Sequence, residues 1–507
     1  MDIPPVLCTI GCMEQTPAAK AAEREFEMDR PDLARQSRRR FLQNTSAAML
    51  GAAAMPVWGN GGSRRINLIV LVTDDHRWDC LGCMGHPILR TPNLDRLAND
   101  GVLFTNHFCT TSICMTSRAT IFTGLYSRCH TIHSFNLSLP ESLFPMSYPM
   151  ALRSAGYRTG FIGKWGLGGD LPEKDFDYFK GFPGQGKYFH EINGQRVHLT
   201  RIMADQAEEF VQGCSPNQPF CLSVSFKSPH VQDGGFPPFQ FDRALADFYE
   251  DEQIPVPRTA TEAHFEALPE FIRISEGRVR WGHRFATPEM YQESVKDYLR
   301  LITGVDRAVG QILECLKRRG ALDNTAILFT SDNGFFLGEH GLAGKWLMHE
   351  ESIRVPMILW HPCLPQSRRG QSIDKMTLNI DIAPTILDLA GLEIPPWMQG
   401  RSLMPLASGD PAPWREEWFY EHLFKHPTIP KNEGVRTERW KYIRYIAQDP
   451  ICEELYDLDN DPVEEHNLVG SISHCQILDR LRTRRKKWIQ SLENWRLDSP
   501  VPWQEPV

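Results

Sequence analysis

The chain lacks the marks of several broad protein classes. It has no excess of positive charge: 63 acidic side chains face 55 basic ones, and the formal charge at neutral pH is −8. No global field therefore recruits nucleic acid, and any anion binding must come from a local cluster. There is no low-complexity tract, and no repeat at a solenoid period. Beyond the first sixty residues no apolar run is long enough to cross a bilayer, so no membrane anchor is expected. The thirteen cysteines are scattered and odd in number, which argues against a disulfide framework. Cys80 and Cys83, with His86 nearby, make half of a zinc site, and no second Cys/His pair at finger-like spacing completes it.

What is present begins with a leader. Ser37 to Gln43 reads SRRRFLQ and runs into TSAAMLGAAAMPVWG. A basic stretch, a short Ala-rich apolar stretch and small residues for cleavage are the pattern of a twin-arginine export signal. Residues 1–60 are read as that leader, with Met28 an alternative start. The expected destination is periplasmic or extracellular, reached through the twin-arginine export machinery. No cysteine directly follows the apolar stretch, so no lipoprotein anchor is expected.

Past residue 65 the texture is that of an α/β protein. INLIVLVTDD, Ile66 to Asp75, is a continuous apolar run that ends in two acids, as a strand buried on both faces does. YRTGFIGKW, PFCLSVSFKSPH and TAILFTSDNG repeat the theme, ending near Lys164, His230 and Asp332-Asn333. Between them TPNLDRLANDG, DQAEEFVQGC and the stretch from Met290 to Gly320 carry helical periodicity. Alternation of this kind predicts a large, mostly parallel sheet flanked by helices, here over residues 65–408. Over residues 409–507, short aromatic strands and a basic helix from Ile477 to Leu492 predict a small antiparallel C-terminal subdomain.

The polar strand ends carry the chemistry. Asp74, Asp75, Asp332 and Asn333 supply three carboxylates and an amide oxygen, a hard-oxygen set suited to Ca²⁺, with Mg²⁺ the alternative. Without a cation such carboxylates would repel. Lys164 and His230 follow strands at the same edge, and Arg118 and Lys345 add charge. A metal ringed by these cations is an oxyanion site for a sulfate or phosphate group. Cys114, in TTSICMTSRATIFTGLYS, precedes a predicted helix whose positive end suits an anion. On its own it reads equally as thiol nucleophile, metal ligand, buried filler or a residue that is later modified.

At Cys114 to Gly124 the sequence CMTSRATIFTG resembles the sulfatase signature C-x-P-S-R-x-x-x-x-T-G, within the alkaline-phosphatase-like superfamily. LIVLVTDDHRWDCLGCMGHPILRTPNLDRLANDG, SDNGFFLGEHGL, EESIRVPMI and DIAPTILDLAGL extend the resemblance over about residues 65–470. It implies that a formylglycine-generating maturation enzyme oxidises Cys114 to formylglycine, whose hydrate attacks a sulfate ester. It further implies that Asp74, Asp75, Asp332 and Asn333 hold Ca²⁺, that Arg118 supports the formylglycine, and that Lys164, His230 and Lys345 bind sulfate and assist the leaving oxygen. The substrate implied is a sulfate ester, in an exported bacterial hydrolase a sulfated carbohydrate. A phosphodiesterase or phosphonate monoester hydrolase of the same superfamily, and an inactive sulfated-glycan binding protein, are the alternatives.

Two positions depart from the family pattern. Thr116 stands where the signature has Pro. Gly166, in GKWGLG, stands where many sulfatases have His, so a gap is expected beside Cys114, with His340 or another polar side chain from a different loop to fill it. The aromatic and basic segment from Tyr420 to Tyr442 suits a polyanionic sugar, and it suits core packing with a solvated face as well.

Overall fold

The computed structural model describes residues 65–135, 137–499 and 501–506. The expected twin-arginine segment lies outside them. The main sheet has eight strands: β1 (Asn67–Asp74), β2 (Val102–Phe104), β3 (Arg158–Lys164), β4 (Tyr178–Phe182), β5 (Phe220–Pro229), β6 (Thr325–Ser331), β7 (Met357–Trp360) and β8 (Gln371–Ile373). Their order across the sheet is β8-β2-β7-β6-β1-β5-β3-β4. Only β7 runs against the others, pairing antiparallel with both β6 and β2. The expected mostly parallel α/β fold is therefore the one observed.

The apolar runs explain the layering. Every residue of β1 is buried. Leu68, Val70 and Val72 join one apolar core, while Ile69 and Leu71 join the other on the opposite face. The first of these faces is covered by α2 (Cys114–Thr123) and α5 (Ile382–Leu389), and the second by α1 (Pro92–Asp100), α3 (Leu199–Gln212) and the long α4 (Pro288–Arg318). Both faces of the central strands are thus dry, as parallel sheets require.

The C-terminal residues form a four-stranded antiparallel sheet in sequential order: β9 (Glu417–His422), β10 (Asn432–Thr437), β11 (Trp440–Tyr445) and β12 (Cys452–Asp457). The helix α6 (Cys475–Glu493) packs on it. Trp418, Tyr420, Tyr442 and Trp488 share an apolar core with Phe108, Tyr126, Phe336 and Met348, so this sheet is fastened to the segments around the strand ends of the main one. No helix among the described residues is long and apolar enough to cross a membrane.

Candidate active site

Four adjacent parallel strands, β6, β1, β5 and β3, end on one edge of the sheet. That topology brings Asp332-Asn333, Asp74-Asp75, His230 and Lys164 together, although 258 residues separate Asp75 from Asn333 in sequence. Asp332 N donates to Thr73 O at 3.0 Å, which locks the two acid pairs in register. Asp75 lies in the left-handed region at φ 65°, a conformation Asp tolerates better than most residues. Tyr298 on α4 clamps it by donating to its carbonyl at 2.7 Å.

The acids and cations interlock. Lys164 Nζ donates to Asp74 Oδ2 at 2.5 Å and Arg118 Nε to Asp332 Oδ2 at 2.8 Å. Lys345 Nζ donates to Asp75 Oδ1. Asn333 Nδ2 donates to the same Asp75 oxygen at 2.6 Å. Arg118 also donates to the Lys164 carbonyl at 3.0 Å and to the Ser225 hydroxyl. Every one of these side chains is buried. Burial pushes the Asp332 carboxyl up to about 6, and the neighbouring Asp74 charge adds to the effect. Burial acts on Asp74 in the same sense, but Lys164, His230, Arg118 and Lys345 hold it well below the ordinary carboxylate range.

The donor set fits a divalent cation. Asp74 Oδ1 and Asn333 Oδ1 are buried oxygens with no hydrogen-bond partner. An orphaned buried oxygen is costly, and hard oxygens are what Ca²⁺ and Mg²⁺ prefer. Ligating atoms of Asp74, Asp75 and His230 also lie within 4.8 Å of one another. His230, expected on the sulfate side, thus stands within ligating reach of the acids, with Nε2 3.6 Å from Asp75 Oδ2.

Cys114 sits at the first position of α2 and is 3% exposed. After burial and their carboxylate partners, its side chain counts among the groups acting on Arg118, Lys164 and Lys345. The helix start at Cys114 therefore lies within electrostatic reach of Arg118, Lys164 and Lys345. Thr116 is buried in the first turn of α2, and its hydroxyl donates to Ile132 O at 2.9 Å, a tie that proline cannot make.

The sulfatase family model matches residues 66–392 of this chain. The chain belongs to the sulfatase family. A second model, the C-terminal region of N-sulphoglucosamine sulphohydrolase, matches residues 338–491 of the same sulfatase. An N-acetylglucosamine-6-O-sulfatase of Bacteroides thetaiotaomicron is 30% identical, covering 85% of this chain and 86% of that protein. Among solved structures, a protein in complex with its substrate D-glucosamine-2-N,6-O-disulfate superposes with a TM-score of 0.68 at 28% identity, covering 85% of this chain and 99% of the other. The phosphonate monoester hydrolase of Agrobacterium radiobacter gives 0.70 at 25% identity, over 85% and 95% of the two chains.

At Gly166 the expectation of this sulfatase is met by the second candidate: the residue has another polar side chain, Arg118, beside it and not His340. Gly166 lies at φ 66°, and a Cβ there would stand 2.8 Å from Arg118 Cδ. Arg118 fills the space that the sequence suggested was empty. His340 is elsewhere, with ring centroids 5.4 Å from His349 and 6.1 Å from His264.

Sequence reading missed three contributors. Gln185 accepts from Lys164 Nζ at 2.7 Å, and nothing in its Gly-rich loop signals this. Ser225 meets Arg118. Lys227 is 1% exposed, and its ammonium is pushed down to about 8 by burial and by Lys164. A lysine inside an apolar strand is itself a signal, because unpaired lysine is almost never fully buried without purpose.

Proposed function

We propose that this sulfuric ester hydrolase acts on sulfated sugars through a formylglycine made from Cys114, with Ca²⁺ as its resident ion. The observation that carries the reading is Cys114 at a helix start, against an edge that gathers three carboxylates and three permanent cations. The sugar sulfates named for its relatives support the substrate class.

When present, hydrated formylglycine supplies an oxygen nucleophile and a second hydroxyl for release of sulfate, and a divalent ion offsets the acids and the sulfate charge. The residues of the chain do the rest. Asp74, Asp75 and Asp332 carry three negative charges, and Arg118, Lys164 and Lys345 carry three positive ones, so the protein part of the site is near neutral. A bound dication makes it a net cationic hole, which favours the growing charge on a departing sulfate. Arg118, pinned by Asp332, Lys164 O and Ser225, positions residue 114. Lys164 and Lys345 bind sulfate oxygens. His230 donates Nδ1–H to Val231 O at 2.8 Å, which fixes the ring with Nε2 toward the site. Nε2 is then the bare nitrogen, and burial first keeps its basicity well below the ordinary imidazole range; it takes up the proton that the nucleophile releases and passes it to the leaving sugar oxygen. We also infer twin-arginine export, supported by SRRRFLQ, and maturation by a formylglycine-generating enzyme, supported by the signature at Cys114.

Phosphonate monoester hydrolysis is the second reading, favoured by the likeness to the Agrobacterium enzyme. One experiment separates the two. The chain is produced with and without the maturation enzyme, the Cys114 peptide is weighed, and paired sulfate and phosphonate monoesters are assayed before and after chelation. Matured protein should prefer the sulfate ester, lose activity on chelation and regain it best with Ca²⁺. Full-rate turnover by the unmodified thiol would overturn the nucleophile, and preference for the phosphonate would overturn the substrate class.

A further inference from the structure

One wall of the site is built by residues that the chemistry above leaves unused. Glu421, near the end of β9, pairs with the segment leading into Cys114: its N–H donates to Thr110 O at 3.1 Å, and Thr111 Oγ1 donates to its carbonyl at 2.5 Å. The connection from β9 to β10, residues 423–431, then crosses beside the nucleophile. Its Phe424 and Ile429 pack with Ile113, which precedes Cys114, and with Trp346, which follows Lys345. Its Lys425 N donates to His133 O at 3.0 Å. The loop is thereby tied to both segments that carry the site.

That loop brings positive charge with no internal partner. Neither Lys425 nor Lys431 pairs with a carboxylate among the described residues. Both lie near His133, whose basicity falls through burial first and then through Lys425, Lys431 and Arg128. Arg128 is already committed to Glu421, Glu433 and Glu493. His133 Nδ1 is buried and has no hydrogen-bond partner. Beside them Phe135 is 55% exposed, with its ring 4.6 Å from Phe424. Like charges gathered at an unpaired imidazole, next to an exposed aromatic face, repel one another unless an anion joins them. An aromatic face bordered by cations is also the chemistry that meets a charged sugar.

We propose that Lys425, Lys431 and His133, with Phe135 as the sugar-facing ring, form a second anion subsite that takes a further sulfate on the same sulfated sugar. This rests on the reading of the chain as a sugar sulfatase. The neighbouring site removes one sulfate, and the rim selects substrates that carry another.

The test compares the full chain with its K425Q/K431Q variant, using a monosulfated and a disulfated glucosamine that differ only by the second sulfate. Binding is measured by calorimetry on Ca²⁺-loaded protein kept unmatured at Cys114, so that nothing turns over. The wild type should favour the disulfated sugar, and the variant should lose roughly 2- to 30-fold of that ratio, as two partly exposed charge contacts imply. An unchanged ratio in a variant of unaltered melting temperature overturns the subsite. So does a loss that appears only when a uronate carboxylate replaces the second sulfate. Hydrolysis by matured protein is read separately. If neither sugar is cleaved while the binding ratio falls, the sugar-sulfatase reading fails and the anion subsite stands. If both are cleaved and the ratio is unmoved, the reverse holds.

Discussion

Alanine at Gly166 tests whether the space beside the nucleophile belongs to Arg118. The added Cβ would sit 2.8 Å from Arg118 Cδ, against about 3.6 Å for ordinary carbon contact, so the arginine must retreat by about 0.8 Å. Its Nε–Asp332 bond of 2.8 Å would then stretch beyond hydrogen-bond range. A displacement of that size in a positioning group lowers kcat/KM by about 10²-fold. Backbone strain acts as well, because Gly166 lies at φ 66°, and a non-glycine residue there loses about 1–2 kcal/mol. Gly85 separates the two effects: it is exposed at φ 84° with nothing within 4 Å of its Cβ position. G85A should carry the strain alone. In a chain of this size about 2.1 cal/mol/K per residue makes 1 kcal/mol worth only about 1 °C of melting temperature. Both variants should therefore melt within a few degrees of wild type, while only G166A loses activity, and G166H loses more. The assay is kcat/KM on a sulfate ester alongside calorimetric melting. If G166A keeps the activity of G85A, Arg118 does not occupy that space in the working enzyme and the argument is refuted.

Glu454 on β12 is buried, accepts from Tyr445 at 3.1 Å and has its carboxyl pushed up to about 7 by burial. Because the folded value exceeds the unfolded one, the associated stability is complete below about pH 4.5 and is lost as pH rises through 7, by at most about 3 kcal/mol. Melting curves of E454Q should therefore gain on wild type between pH 5 and 7.5, and parallel curves would dismiss the assignment. Lys227 Nζ donates to Val231 O at 3.0 Å, the carbonyl that also receives His230 Nδ1–H. K227M should lower kcat about 10-fold with little change in KM, and K227R should recover part of it; an unchanged kcat would show that Lys227 does not position His230.

What could be read from the chain alone followed from local physics. β1 and β6 are dry on both faces, so they spell continuous apolar runs, and the charged residues gather where the strands end. Asp74, Asp75, Asp332, Asn333 and Lys164 were legible for that reason, and so was Cys114 at the mouth of a helix. The strands β1, β3, β5 and β6 and the long α4 follow from the same periodicities. Tertiary structure alone decided the contacts among them. The order β6-β1-β5-β3 is not encoded in any local pattern, yet it places residues more than 250 positions apart within hydrogen-bond distance. Gly166 shows the difference most clearly. Its sequence records a missing side chain, but whether that leaves a hole depends on which neighbour packs there, and only the fold shows Arg118 in the space. Gln185 and Ser225 were silent for the same reason: their roles come from groups brought to them by distant strands. His340 looked like a site residue by its motif, and the path of the chain carried it instead to His264 and His349.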